Sequence, residues 1–286
     1  PVSVNDRTRF IYEAACCGLR DFFVKNGYKK ACVGVSGGID SAVVACLAVA
    51  ALGAENVRGL MMPSQFSSEG SVEDAKQLAE NLGIEFHVVP ITEAYRSIVD
   101  TLIPVIGGTD FDATEENIQS RIRTLMLMAL QNKNGYVLLN CSNKSENALG
   151  ICTLYGDTGG AFSVTGDLYK TEMYDLARYI NRKFGAPIPE NILTKEPSSE
   201  LRPNQKDSDM LPSYEVVDAI LYRLIEDGQS REEIINAGFD SDEVQKIYAM
   251  VMRNEKKRFQ YPPVLRLSSS SFGHEYRMPL THKYVK

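Results

Sequence analysis

A glycine-rich turn between a predicted strand and a predicted helix carries the sharpest chemical signal in the sequence. The turn consists of Gly34, Val35, Ser36, Gly37, Gly38, Ile39, Asp40 and Ser41. Backbone N–H groups at the start of a helix attract anions, and a residue without a side chain lets an anion approach closely. Asp40 would repel a phosphate group unless a divalent cation lay between them, and Ser36 and Ser41 add hydroxyl donors. This combination indicates a site for magnesium pyrophosphate.

Three other interpretations of this turn stay open on the residues alone. It can be a tight strand-to-helix connection without a ligand, or a nucleotide-binding turn without catalysis. It also matches the G-x-S-x-G nucleophile elbow of α/β-hydrolases, with Ser36 as nucleophile and His274 or His282 as base. The His-Gly-Gly-Gly oxyanion loop of esterases is absent, however, and Asp40 would disfavour an oxyanion nearby. A Walker A loop is excluded because no Lys-Ser or Lys-Thr pair follows the glycines at the required spacing.

A second group of polar residues follows the predicted strand at residues 136–140. Lys144 and Glu146 begin a short predicted helix, and Asp157 and Lys170 come soon after it. Each has a structural alternative, because Lys144 and Glu146 can form a solvated helix start and Asp157 can cap a turn. Together they would place cations for phosphate charge and carboxylates for a metal opposite the glycine-rich turn.

These two groups can meet only if the chain between them folds as alternating strands and helices. The hydrophobic pattern predicts strands at 31–35, 57–62, 85–89 and 136–140, and helices at 9–25, 39–52, 71–82, 115–132 and 144–151. The short connections imply right-handed βαβ units and an open parallel sheet with helices on both faces. Ligands lie at the carboxyl ends of the strands in such sheets, and both polar groups follow strand ends.

The pattern changes after Ala186. Residues 186–213 contain five prolines and little periodicity, and so long a loop is more often functional than idle. Helices are predicted at 214–226, 231–237 and 242–258, and an irregular tail at 259–286. We expect residues 1–286 to form a single α/β domain with this C-terminal extension.

Composition excludes several classes of protein. The 286 residues are 44% hydrophobic and 24% charged, which is typical of a globular protein. The net charge of −6 predicts no nucleic-acid partner. The longest apolar run, Ala42 to Leu52, is too short to span a membrane. Six cysteines without a C-x-x-C pair and only three histidines disfavour a zinc site and predict reduced thiols in the cytoplasm.

The segment from Ser36 to Ser41 resembles the pyrophosphate loop of the N-type ATP pyrophosphatases. These include GMP synthetase, asparagine synthetase, tRNA-thiolating enzymes and NAD synthetase, and the loop alone does not choose among them. Segments 143–150, 154–157 and 166–171 resemble NAD synthetase, as do segments 61–64, 67–70, 117–123, 197–205, 257–258 and 272–273. The resemblance covers nearly the whole chain. Residues 201–205 and the tail look like the glutamine-dependent branch, in which this module follows an N-terminal glutaminase.

The resemblance implies an adenine nucleotide α-hydrolase-like, Rossmann-like fold and the ATP-dependent amidation of deamido-NAD to NAD with Mg²⁺. The nicotinate carboxylate of deamido-NAD would attack the α-phosphate of ATP, pyrophosphate would leave, and ammonia would displace AMP. GMP synthetase, which uses XMP, is the nearest alternative. The chain shows no glutaminase motif, so we expect ammonia as the direct nitrogen donor, with glutamine serving only through a separate or missing glutaminase domain. The family also implies a homodimer or larger homo-oligomer.

The resemblance further assigns roles to individual residues. It implies that ATP contacts Gly34 to Ser41, Cys141, Lys170 and Ser198, and that magnesium is held by Asp40 and Glu146. It implies that deamido-NAD contacts Arg121, Glu146, Asp157, Lys256 and Lys257, and that the catalytic set is Asp40, Glu146, Asp157 and Lys170. A lysine pair such as Lys256 and Lys257 also suits a helix C-terminus. Cys141 stands where the family usually has threonine, and a thiol is a weaker donor than that hydroxyl.

Overall fold

The computed structural model of the chain describes residues 4–107, 110–203 and 205–283, apart from the side chains of Val4, Asn5 and Asp207. Asn204, which belongs to the segment singled out at 197–205, lies outside the described residues. The strands are β1 (Lys30–Gly34), β2 (Val57–Met61), β3 (Glu85–Val88), β4 (Tyr136–Asn140) and β5 (Phe162–Ser163). The helices are α1 (Val4–Lys25), α2 (Ile39–Leu52), α3 (Glu69–Leu82), α4 (Thr92–Ile106), α5 (Ala113–Asn134), α6 (Lys144–Leu149), α7 (Lys170–Phe184), α8 (Glu190–Thr194), α9 (Tyr214–Ile225), α10 (Arg231–Asn236), α11 (Ser241–Arg253) and α12 (Glu255–Arg258).

The strands form one parallel sheet in the order β3-β2-β1-β4-β5. Ala31 of β1 is in register with Val57 of β2 and with Val137 of β4. The predicted α/β fold with an open parallel sheet is therefore confirmed, and its four predicted strands lie within one residue of their expected ends. The chain winds outward from β1 in both directions, so the carboxyl ends of β1 and β4 flank the point where strand order reverses. Ligands bind at such a point in open parallel sheets.

Successive residues of β1 pack on opposite faces of the sheet. Ala31 and Val33 belong to a core formed with α1, α2, α3 and α7, whereas Cys32 belongs to a core formed with α4 and α5. This alternation follows from the two-residue period of a strand. Because both faces are covered, β1 is apolar along its length, and α2 is apolar all round because it lies between the sheet and other helices.

Several elements differ from the expectations. Helices α4, α7 and α8 were not among the predicted helices, and α8 lies within the segment 186–213 that was expected to be a loop. Strand β5 is only two residues long, too short for a periodic signal and defined by its pairing with β4. The helix predicted at 242–258 is interrupted at Asn254, whose side-chain amide donates to the carbonyl oxygens of Leu149 and Met250, each at 2.8 Å. The C-terminal helices α9, α10 and α11 pack on α6 around a separate apolar cluster. No helix within the described ranges has the length and apolar character needed to cross a membrane.

The C-terminal tail is tied to the edge of the sheet. Ser163 of β5 donates its N–H to Pro263 O and accepts from the N–H of Leu265, at 2.9 and 3.0 Å. Asp167, which is fully buried, accepts hydrogen bonds from the backbone N–H groups of Leu267 and Ser268, both at 2.7 Å. The tail therefore prolongs the sheet beyond β5 although it contains little regular structure of its own.

Lys144 joins this tail to the rest of the fold. Its fully buried ammonium lies 2.9 Å from Asp167 Oδ1, contacts the carboxylate of Glu226, and donates to Ser268 Oγ at 2.7 Å. The expectation that Lys144 faces the glycine-rich turn is therefore wrong. A buried charge must be paired, and the pairing that the fold supplies is with Asp167 and Glu226.

We expect Asp167→Ala to lower the free energy of unfolding by about 3–5 kcal/mol, because it leaves the Lys144 ammonium short of a partner and the tail without its acceptor. Asp175→Ala is the matched control, since the Asp175 side chain is 48% exposed and its carboxylate lies 3.6 Å from the exposed Arg178 guanidinium. That variant should stay within about 0.5 kcal/mol of the wild type. Urea unfolding measures both, and equal stabilities for the two variants would contradict the role given to Asp167.

Candidate active site

A cavity of about 320 Å³ opens at the carboxyl ends of the central strands. Its walls come from the turn after β1, the end of β2, helix α5, the residues after β4, the loop before β5, the start of α7, and residues 195–201. Residues more than 100 positions apart in the chain thus meet at one edge of the sheet. The predicted site residues that line the cavity are Gly34, Val35, Ser36, Gly38, Ile39, Asp40, Ser41, Cys141, Glu146, Asp157, Lys170 and Ser198.

The glycine-rich turn is held in a fixed shape by its own serines. Ser41 Oγ accepts from the N–H of Ser36 at 3.1 Å, and Ser36 Oγ accepts from the N–H of Gly38 at 3.2 Å. Gly37 has φ +80°, and a Cβ there would lie 2.3 Å from Ser71 O. Only glycine fits at that position, for both conformation and space. The turn therefore presents the N-terminus of α2 to the cavity as a preformed anion site.

An ammonium and two carboxylates form the charged centre of the cavity. Lys170 Nζ lies 2.6 Å from Asp40 Oδ2 and 3.2 Å from Glu146 Oε1, and these residues open α7, α2 and α6. Asn143 Nδ2 donates to Asp40 Oδ1 at 3.0 Å. Burial disfavours the charged form of Lys170, but Asp40 and Glu146 outweigh it and hold the Lys170 pKa well above its usual range. The charged centre is therefore one ammonium group between two carboxylate groups.

Asp157 and Arg123 lie on the α5 side of the same cavity. Asp157 Oδ1 accepts from the N–H of Thr153 at 2.8 Å, and Oδ2 accepts from Ser120 Oγ at 3.3 Å. Asp157 is exposed to the cavity, and desolvation by the surrounding protein raises the pKa of its carboxyl group to about 6. Arg123 Nε donates to Met62 O at 2.9 Å, and burial lowers the pKa of Arg123 to about 10, so its guanidinium stays charged at neutral pH. Sequence reasoning did not single out Arg123.

Residues 195–201 cover the cavity next to the glycine-rich turn. The carboxylate of Glu200 accepts from Ser68 Oγ and Ser71 Oγ, each at 2.8 Å, and Lys195 Nζ lies 2.9 Å from Asp74 Oδ2. These contacts fasten the segment to the first turns of α3. Within the segment, Ser198 Oγ donates to Gln205 O at 2.6 Å. The long proline-rich loop therefore contributes a wall of the site, as its length predicted.

Four predicted residues lie outside the cavity wall: Gly37, which packs against the main chain of Ser71, and the side chains of Arg121, Lys256 and Lys257. Arg121 is exposed and donates from Nε to Leu154 O at 3.2 Å. Lys257 Nζ donates to Gly150 O at 2.6 Å and to Cys152 O at 2.8 Å, at the C-terminal end of α6, and Lys256 is exposed beside it. These contacts suit the helix-end interpretation of the lysine pair. Binding of a dinucleotide by the three side chains stays a prediction.

Cys141 lines the cavity next to Asp40 and Glu146. Burial is the main cause that raises the pKa of its thiol, and the two carboxylates add to it, so the thiol stays neutral. Its sulfur makes only a long contact of 4.0 Å with Leu139 O. Cys141 can therefore offer a ligand a weak donor at most.

The geometry does not support the hydrolase interpretation of the turn. The hydroxyl of Ser36 is bonded to Ser41 and to the N–H of Gly38. Within the described part of the chain no histidine lines the cavity: His274 is exposed, and His282 Nε2 lies 3.0 Å from Met252 O. A serine nucleophile needs a base within hydrogen-bond reach, and none of these imidazoles supplies it.

Comparison with known proteins agrees with this geometry. The sequence model of the family described as NAD synthase matches residues 11–261. A glutamine-dependent NAD(+) synthetase of Aquifex aeolicus is 52% identical over 276 residues, which cover 96% of this chain and 48% of that protein. The chain therefore spans about half the length of the curated relatives it matches.

Two solved structures show the same likeness. The glutamine-dependent NAD+ synthetase of Acinetobacter baumannii, in complex with ADP, is 41% identical with a TM-score of 0.65, over 96% of this chain and 49% of that one. The NH3-dependent NAD synthetase of Campylobacter jejuni, in complex with nitrate, is 31% identical with a TM-score of 0.71. That match covers 87% of this chain and 96% of the other.

Arg123 and Arg121 form a matched pair, because they are two positions apart on α5 and only Arg123 lines the cavity. We expect Arg123→Gln to weaken the binding of magnesium ATP by about tenfold or more, since a hydrogen bond to a charged group contributes about 1.5–3 kcal/mol. Arg121→Gln should leave ATP affinity nearly unchanged. Calorimetric titration of both variants measures this, with the unfolding midpoint as the control. Equal ATP affinities would remove Arg123 from the nucleotide site.

Proposed function

The chain belongs to the NAD synthase family, and on this premise we propose that it catalyses the ATP-dependent amidation of deamido-NAD to NAD. The nicotinate carboxylate attacks the α-phosphate of ATP, pyrophosphate leaves, and an adenylated dinucleotide is formed. Ammonia then attacks the adenylated carbonyl carbon, and AMP leaves. Adenylation is needed because a free carboxylate is a poor electrophile without a good leaving group. After adenylation, AMP is the leaving group.

One observation carries the proposal: Lys170 lies between Asp40 and Glu146 beside a preformed anion site. The phosphate chain of ATP fits the N-terminus of α2, where backbone N–H groups face it. The Lys170 ammonium and the Arg123 guanidinium then lie on the walls around the reacting phosphate and offset its negative charge. Charge that builds up during phosphoryl or nucleotidyl transfer is stabilised best by groups that are already fixed in place.

The donor set fits magnesium. Asp40 and Glu146 supply carboxylate oxygens, and the described residues hold no cluster of three or more His, Cys, Asp or Glu that would coordinate a metal alone. Mg²⁺ keeps several waters and is usually held by one or two carboxylates together with substrate phosphates. Asp40 and Glu146 would hold it against the triphosphate, and its charge would stabilise the departing pyrophosphate. In the free chain the Lys170 ammonium balances the two carboxylates.

Asp157 is proposed to serve the second half of the reaction. It faces the cavity from the side opposite α2, and its carboxyl is mostly ionised above its pKa of about 6. An ionised Asp157 can accept a hydrogen bond from the attacking ammonia and hold the proton that the new amide must lose. Deamido-NAD would extend from this point toward Arg121 and Lys257, which contact the loop at residues 150–155, and toward the exposed Lys256 next to Lys257.

Ammonia is proposed as the direct nitrogen donor of this chain. A glutaminase needs an activated nucleophile, and burial raises the thiol pKa of Cys16, Cys32, Cys46, Cys141 and Cys152. Glutamine would serve through a glutaminase domain such as the name of the glutamine-dependent relatives implies.

All six thiols are free, in keeping with a location in the cytoplasm. We also propose a homodimer or larger homo-oligomer, because Val105 on α4 and Leu125 on α5 are 81% and 66% exposed.

The chain is expected to form NAD, AMP and pyrophosphate from ATP, magnesium, deamido-NAD and ammonium, and to form little NAD when ammonium-free glutamine replaces ammonium. The measurement is chromatography of the nucleotides, with XMP as a parallel substrate. Turnover of XMP without turnover of deamido-NAD would make the chain a GMP synthetase-like enzyme and contradict the proposal. Sustained glutamine-driven synthesis with equal glutamate release would contradict the choice of nitrogen donor.

Asp40→Asn and Glu146→Gln should each slow adenylation by about two orders of magnitude or more, since the loss of one fixed charge contact costs about 3–4 kcal/mol in such transition states. Both variants keep the size of the side chain and leave Lys170 one carboxylate partner, so the unfolding midpoint should fall while each variant stays folded at the assay temperature. Pyrophosphate release in a single turnover, measured over a range of magnesium concentrations, reports the effect. Rates near wild type with the same magnesium requirement would remove Asp40 and Glu146 from the mechanism.

A further inference from the structure

A buried carboxylate lies behind the charged centre, in a position that neither the sequence motifs nor the proposed reaction use. Asp218 belongs to α9 and is 5% exposed. Its neighbours in that helix, Val217, Ile220 and Leu221, are buried in the C-terminal apolar cluster. Packing of α9 therefore drives the carboxylate of Asp218 inward, against the junction of α6 and α7.

The two oxygens of Asp218 bridge the first turns of these helices. Oδ1 accepts from Ser145 Oγ at 2.5 Å, and Oδ2 accepts from the N–H of Thr171 at 2.8 Å. The same Ser145 oxygen accepts the backbone N–H of Lys170 at 2.9 Å. Ser145 precedes Glu146, and Thr171 follows Lys170. One carboxylate thus contacts a residue next to each member of the Lys170–Glu146 pair.

Stability alone gives no reason for a carboxylate at this place. Both partners of Asp218 are neutral donors, and burial raises its pKa to about 6, which means that the ionised form is unfavourable inside the fold. A buried charge without an ion pair costs free energy that an apolar side chain would avoid. The carboxylate fixes the position of α6 relative to α7, because its two acceptor oxygens lie on one rigid planar group. The N-terminus of α7 also favours an anion at this place.

We propose that Asp218 is a positioning residue, which acts through Ser145 and the first turn of α7 to hold Lys170 and Glu146 in register around Asp40. The inference rests on the proposed adenylation reaction. It assigns an influence on the rate of that reaction to a residue that does not contact the substrates. A displacement of about 1 Å in a reacting group can cost about 100-fold in rate. The expected effect is therefore on turnover and not on substrate affinity.

The test compares Ser145→Ala, Asp218→Asn and the double variant with Val217→Ala in the full chain. Each of the first two should lower kcat for NAD formation by about 10- to 100-fold while KM for ATP changes by less than about threefold. The double variant should be no worse than the more damaged single variant, because both changes break the same connection. Val217→Ala makes a cavity in the same helix without touching the bridge, so it should lower the unfolding midpoint with kcat nearly unchanged.

Each outcome separates the inference from the function on which it rests. If both single variants keep the wild-type kcat, the role of Asp218 is overturned while the reaction stands. The same follows if Val217→Ala loses as much kcat as they do and has the same unfolding midpoint. Additive losses in the double variant also overturn this role, because Ser145 and Asp218 would then act independently. A wild-type chain that forms no NAD overturns the proposed reaction and the positioning role with it. If Asp218→Asn fails to fold, Ser145→Ala still decides, since it breaks the same bridge and leaves the carboxylate in place.

Discussion

The ammonium of Lys170 imposes the strictest requirement on this structure. It is almost fully buried, and a buried ammonium is tolerated only where opposite charge meets it at close range. Its partners, Asp40 and Glu146, belong to other helices, so three helix N-termini must converge within a few ångström. A parallel sheet achieves this because all its strands end at one edge, and each connection that leaves that edge starts a helix there.

One short helical turn connects this centre to the rest of the molecule. Residues 143–146 are consecutive, and successive side chains of a helix point about 100° apart. Asn143 donates a hydrogen bond to Asp40, and Lys144 forms ion pairs with Asp167 and Glu226. Ser145 donates a hydrogen bond to Asp218, and Glu146 forms an ion pair with Lys170. The turn thus joins the glycine-rich loop, the C-terminal tail, the helical layer and the reacting centre. The tail and α9 therefore support the site although they do not line it.

Helix α5 forms the wall opposite α2. Its Ser120, Arg123, Thr124 and Leu127 line the cavity, while Ile118 and Ile122 pack under the sheet. Each of these residues has another member of its set three or four positions away, which is the spacing of one helix face. Arg121 falls between the two faces and points outward. The pair of arginines that looks uniform in sequence is therefore divided by helical geometry into one cavity residue and one surface residue.

The sequence by itself determined the α/β class, four of the five strands, and the glycine-rich turn with Asp40, because these depend on local periodicity and on short-range backbone constraints. At Gly37 the positive φ of the turn is such a local constraint, whereas the closeness of Ser71, 34 positions away, is a tertiary contact that the sequence did not show. The family resemblance assigned site roles to Glu146 and Lys170. The sequence pattern alone could not predict that these two side chains contact each other. Only the tertiary structure decided which charges meet. Lys144 and Lys170 look equivalent in the sequence, yet one anchors the tail and the other holds the carboxylates of the site. That choice depends on which way each first helical turn faces, and packing of α9, α5 and the tail sets this orientation through contacts between residues far apart in the chain.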